Sequence, residues 1–158
     1  MNDREFYLAR RKAELPAFQR VFAALPKDRL DYKPHEKSPS AGQILWTLAS
    51  EHGACVDVVD KGRVDWAVTP PRSYDEMLRV FEKNWKDLDA RTAALDDAAW
   101  TRKGQFAVGG KVVNEMPIGE FLWFILFDAI HHRGQLSAYI RPMGGKVPPI
   151  YGPSADSR

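Results

Sequence analysis

Apolar residues recur at helical spacing in four stretches of the chain. The first runs from about Glu5 to Leu25, with Leu8, Leu15, Phe18, Phe22 and Leu25 on one stripe. Pro16 interrupts it, and its missing N–H should kink the helix or leave a carbonyl unpaired. The second opens at Ser40, where Gln43 completes a capping box, and carries Leu45, Leu48, His52, Cys55 (or Val56) and Val59 before Gly62 stops it. The third opens at Ser73 with Glu76 three residues on, and Leu78, Phe81, Trp85, Leu88 and Leu95 form its buried face. The fourth starts near Pro117, a residue tolerated in a first turn, and runs to Tyr139 and Ile140, with Pro142, Gly144 and Gly145 ending it. Its inner stripe reads Phe121, Ile125, Asp128, His132, Gln135 (or Leu136) and Tyr139.

The connections are informative too. Residues 26–39 contain three prolines and should be irregular. Between the third and fourth helices, residues 105–108 and 111–113 flank Gly109-Gly110, the pattern of a small hairpin, because a Gly-Gly pair supplies the positive φ angles of a tight turn. Connections of this length cross a bundle instead of joining antiparallel neighbours. The predicted fold is therefore all-α, a four-helix bundle with long crossover connections and a small hairpin, in one domain over residues 1–158. The segment Pro148-Pro149-Ile150-Tyr151-Gly152-Pro153 cannot be helical and should pack back as a stiff strap.

Composition narrows the function classes. A net charge of +2 gives no ground for nucleic-acid binding, and the cluster Arg10, Arg11, Lys12 reads as a solvated helix face. The apolar run Phe121–Phe127 is too short to span a bilayer, and the charged N-terminus lacks the apolar stretch of a signal peptide. A single cysteine, Cys55, forms no internal disulfide and fits a reducing compartment, so a cytoplasmic protein is expected.

Candidate chemistry sits on the two most apolar helices. Asp128 and His132 are four residues apart and stack along one helix face. Asp128 and His131 form an acid-x-x-His pattern like that of carboxylate bundles. The stripe favours His132 as the inward histidine, with His131 on an adjacent face. His52 occupies a core position of the second helix, and a lone histidine there is more often a satisfied core residue than a ligand. Together His52, Asp128 and His132 could form a two-His, one-carboxylate divalent-metal site with open positions. Zinc, nickel, iron and manganese are all compatible with those donors. Arg133 and Gln135 are expected to line or support the site, or to form a structural network, and Cys55 reads as a small buried hydrophobe.

The run His131-His132-Arg133-Gly134-Gln135-Leu136, with Tyr139-Ile140-Arg141 and Val147-Pro148-Pro149-Ile150-Tyr151-Gly152-Pro153-Ser154-Ala155-Asp156, resembles the DinB (DinB/YfiT-like) family. Residues 25–35 and Ser40-Ala41-Gly42-Gln43 leading to His52 resemble it as well. The resemblance implies a four-helix bundle of unusual connectivity, often a homodimer. It also implies a divalent-metal site at positions matching His52, residue 128 and His132, where residue 128 is aspartate and the family commonly has histidine. Relatives act as metal-dependent thiol transferases or resemble hydrolases, so a small-molecule thiol or electrophile is the implied substrate. Against this enzyme reading stands a binding or stress-response module whose polar cluster is only a hydrogen-bonded core network. The apolar surplus of the fourth helix is compatible with dimerisation in either case.

Overall fold

The computed structural model describes residues 1–157. Its elements run α1 (Asp3–Ala23), α2 (Ala41–Lys61), β1 (Arg63–Trp66), α3 (Tyr74–Ala94), α4 (Asp97–Thr101), β2 (Lys103–Val108), β3 (Lys111–Pro117) and α5 (Ile118–Ile140). The chain is thus mostly helical, with a small three-stranded sheet, one strand more than the hairpin expected beside the helices.

Local chemistry sets the helix ends. At α2 the Ser40 hydroxyl accepts from the Gln43 N–H at 3.1 Å, while Gln43 Oε1 accepts from the Ser40 N–H at 2.8 Å. These reciprocal bonds satisfy two donors that a helix start otherwise leaves free. Asn2 and Glu5 make the same box at α1, which continues through Pro16. Gly62 closes α2 in the left-handed region, with φ at 71°.

Helix α2 is the centre of the molecule. It packs against α3 on one side and α5 on another, so it is buried on two faces instead of one. The sheet lies against its C-terminal half. A Cβ on Gly104 would come within 2.8 Å of the Val58 side chain, so only glycine permits that approach. Strand β2 runs antiparallel to β3 and parallel to β1, and Gly109 and Gly110 turn the chain between β2 and β3 with φ of 59° and 79°. Strand β1 was not expected: it has four residues and follows Gly62 directly, too few to show a period of two.

Two expectations about charged and apolar faces need correction. Arg11 is not solvated: it is 1% exposed, its guanidinium lies 3.9 Å from the Trp85 ring centroid, and it pairs with Asp89 and donates to the Trp85 carbonyl. A planar guanidinium can be buried this way because its faces stack while its edges hydrogen-bond. The deepest stripe of α5 is Leu122, Leu126, Ala129, Arg133, Leu136 and Ile140, with Asp128 and His132 half-buried on its flank.

The segment after α5 packs back over α1. Arg20 donates to the Pro149 carbonyl at 2.8 Å, and Asp156 accepts from Arg141 and from the Val147 N–H, both at 2.9 Å. Arg133, 2% exposed, donates to Glu14 at 2.6 Å and to the Tyr151 hydroxyl. Burial pushes the Glu14 carboxyl up, but the hydrogen bonds from Arg133, Tyr151 and Arg10 outweigh it and hold Glu14 below its ordinary range.

Candidate functional site

Neighbouring residues on a helix point about 100° apart, so His52 and Glu51 leave α2 on different sides. His52 turns toward α3. Its ring is fully buried, 4.7 Å from the Trp85 ring centroid and 5.4 Å from that of Phe81. Nδ1 lies 2.8 Å from the Leu48 carbonyl and donates to it, which leaves the buried Nε2 without a partner. Burial, and then the Arg11 charge, push His52 down to about 3, so the ring is neutral at physiological pH. Cys55 lies one turn further along, fully buried, and burial pushes its thiol upward so that it stays protonated.

The other side of α2 faces a cavity of about 350 Å³. Thr47, Glu51 and Ala54 of α2 form one wall, and Phe121, Phe124, Ile125, Asp128 and His132 of α5 form the facing wall. Trp66 of β1, Phe106 of β2 and Met116 of β3 close the sheet end, and Val68 and Asn114 complete the lining. The walls are largely apolar and aromatic with a few polar groups, as in ligand sites generally.

Three titratable side chains meet this space. His132 Nε2 is 3.4 Å from Asp128 Oδ2, and Nδ1 is 2.7 Å from Gln135 Oε1, to which it donates. The pairing with Asp128, aided by Gln135 and opposed by burial, raises the His132 pKa, and the same pairing lowers that of Asp128. Glu51 is the third: its side chain is 4% exposed and its Oε1 has no hydrogen-bond partner. Burial first, and then the facing Asp128 charge, raise its carboxyl well above the ordinary range.

The structure therefore brings Asp128 and His132 together and separates His52 from them. The expected three-donor set is corrected on this point, because the cavity that Asp128 and His132 line is reached from α2 by Glu51 and not by His52. Among the described residues, no three His, Cys, Asp or Glu side chains converge as a group able to hold a metal ion. His52, Asp128 and His132 consequently do not fit a divalent-metal centre of the implied kind. Of the supporting residues, Gln135 holds the His132 ring, Arg133 is committed to Glu14 and Tyr151 away from the cavity, and His131 is exposed beside His132. Glu51 was missed by sequence reasoning. Its signal was the spacing of Thr47, Glu51 and Ala54, a second stripe on a helix already assigned one.

The fold agrees with those of known proteins. Crystal structures of DinB-like proteins superpose on this chain: one from Bacillus cereus with a TM-score of 0.76 and 18% identity, covering 93% of this chain and 97% of its own. Another from Bacillus subtilis, YjoA, gives 0.72 and 17% over 94% of this chain and 99% of its own. The mycothiol-dependent maleylpyruvate isomerase gives 0.60 and 11% over 90% of this chain, which spans 61% of that enzyme's length. In sequence, YrdA of Bacillus subtilis is 43% identical over 42 residues, a stretch amounting to 27% of this chain and 25% of that protein. The DinB family model matches residues 2–157, and the chain belongs to the DinB family.

Proposed function

We propose that the protein is an enzyme acting on a small molecule held in the α2–α5 cavity, by thiol transfer or hydrolysis, with His132 as the proton acceptor. The observation that carries this reading is the Gln135–His132–Asp128 arrangement beside a largely apolar cavity. Gln135 fixes the Nδ1–H tautomer, which leaves Nε2 as the base. As a thiol or water attacks an electrophile in the cavity, its S–H or O–H bond breaks and the proton passes to Nε2. The electron pair left behind forms the new bond to the electrophile, the bond to its leaving group breaks, and the proton on Nε2 passes to that departing group. Asp128, kept as a carboxylate, stabilises the imidazolium so formed. Membership of the DinB family, and the fold shared with an isomerase whose name declares a thiol requirement, support thiol chemistry.

Turnover of activated esters, and of electrophiles with a panel of low-molecular-weight thiols, tests this. A general base of this kind is worth about 10²–10⁴-fold, so His132→Ala should lose that much while Asp128→Asn loses less. Undiminished turnover in His132→Ala overturns the assignment.

The assembly proposed with it is a homodimer. Phe124 and Phe127 are 59% and 62% exposed on α5, and Phe6 of α1 is 50% exposed beside them. Gly134, on the same exposed stripe, would carry a Cβ into open space. A mid-helix glycine costs about 1 kcal/mol against alanine, so close approach by a second copy gives it a reason. Light scattering should read the mass of two chains, falling to one in Phe127→Asp. A wild-type mass of one chain at micromolar concentration sinks the dimer.

A further inference from the structure

Within the cavity the walls are unequal in charge. Among the described residues, no lysine or arginine lines it. Asp128 stands 3.4 Å from His132 and is engaged by it, so Glu51 is the acid on this wall that is left for a ligand. Its side chain is 96% buried by the 4% exposure it retains, and its Oε1 has no partner. The nearest imidazole nitrogen, His52 Nδ1, is 4.0 Å away and already donates to the Leu48 carbonyl. The buried Arg11, on the α3 side of α2, is paired with Asp89 and the Trp85 carbonyl. An orphaned carboxyl in an apolar wall is costly unless something hydrogen-bonds to it, and nothing among the described residues does.

Aromatic side chains surround the same space. Trp66, Phe106 and Phe121 come from three different elements and present rings to it. Ring faces are electron-rich and attract cations, most strongly where water is excluded. A buried acid combined with aromatic walls is the recognition chemistry of an organic ammonium group. An anionic ligand would meet Glu51 and Asp128 without a free cation to pair with.

We propose that the cavity selects a small, largely apolar molecule bearing one ammonium group, whose N–H donors bond Glu51 while its hydrocarbon or ring body lies against Trp66, Phe106 and Phe121. A cavity of about 350 Å³ suits a single-ring amine in size. This inference rests on the cavity being the ligand site and adds the class of substrate. Glu51 is then a specificity-determining residue, separate from the proton transfer at His132.

Calorimetric titration with three matched probes tests it: 2-phenylethylammonium, its neutral counterpart 2-phenylethanol, and phenylacetate. The ammonium should bind wild-type protein at least tenfold more tightly than the alcohol, with phenylacetate weakest. In Glu51→Gln the ammonium should fall to the level of the alcohol while alcohol binding is unchanged. Equal binding of all three probes to the wild type overturns the ammonium inference and leaves the cavity standing as a ligand site. Ammonium binding unaltered by Glu51→Gln overturns it as well. Absence of binding by any probe overturns both the inference and the reading of the cavity. The wild-type comparison stands whether or not the variant folds.

Discussion

The two sides of α2 handle buried polar groups in opposite ways. Toward α3, His52 stacks on Trp85 and Phe81, is kept neutral, and has its Nδ1 proton taken by a backbone carbonyl. Arg11 nearby is stacked and ion-paired, and the side is closed. Toward α5, Glu51 has no partner, Asp128 and His132 are half-open to solvent, and space remains between the walls. Complete packing marks the side that stabilises the fold. His52 Nε2 is unpartnered too, but it is packed among rings, whereas the unpartnered Glu51 carboxyl borders open space, and that marks the side that can meet a ligand.

The largest expected effect probes a buried pair that belongs to the packed interior. Arg133→Met leaves buried Glu14 with only the half-exposed Arg10 and the Tyr151 hydroxyl as partners, so the loss should approach about 3 kcal/mol, the lower end for breaking a buried pair. Urea unfolding at pH 7 should show that loss, and a change below about 1 kcal/mol would mean that Glu14 is hydrated in solution.

Next come the two histidines, which should separate stability from activity. His52→Ala opens a void against Trp85 and Phe81 and should cost about 2–4 kcal/mol. His132→Ala removes a half-exposed pair with Asp128 and should cost less than about 1 kcal/mol while abolishing the proposed base. Paired unfolding and turnover measurements check this, and the reverse pattern breaks the contrast between the two sides of α2.

The smallest effect has the opposite sign. Glu51→Leu removes an unpartnered buried carboxyl and should raise stability at pH 7 by about 1–2 kcal/mol. Because the folded state raises the Glu51 pKa, the unfolded chain ionises more readily. The wild type is therefore favoured below the unfolded value of about 4.3 and loses stability as pH rises from there through the folded value. The advantage of Glu51→Leu should accordingly shrink as pH falls toward 4.3, and melting curves across that range read it. A gain independent of pH would show that Glu51 is ionised in the folded protein.

Much of the helical architecture was legible because it is written locally. The Ser40–Gln43 box and the stop at Gly62 need no tertiary information. Asp128 and His132 were legible as neighbours for the same reason, being one turn apart on one helix. What was not legible depended on which neighbour each helix face meets. Helix α2 is buried on two faces, so its apolar stripe could not say whether His52 looks toward α3 or α5, and it hid Glu51 altogether. Arg11 looked like surface because its partners, Trp85 and Asp89, lie more than seventy positions away on another helix. The pairing of Arg133 with Glu14 spans a still longer separation. Strand β1 escaped because four residues beside a glycine carry too little pattern.

The rotation between residues 51 and 52 also says how near this chain lies to different chemistry. Moving an imidazole by a single position, as in Glu51→His, would carry it from the closed interior to the wall that faces Asp128 and His132. Two nitrogen donors and one oxygen donor would then border the same space, a combination suited to divalent transition metals. One codon thus stands between an acid-lined cavity and a chelating one. The helix would exchange these properties by a side-chain change alone, with the packed interior toward α3 left as it is.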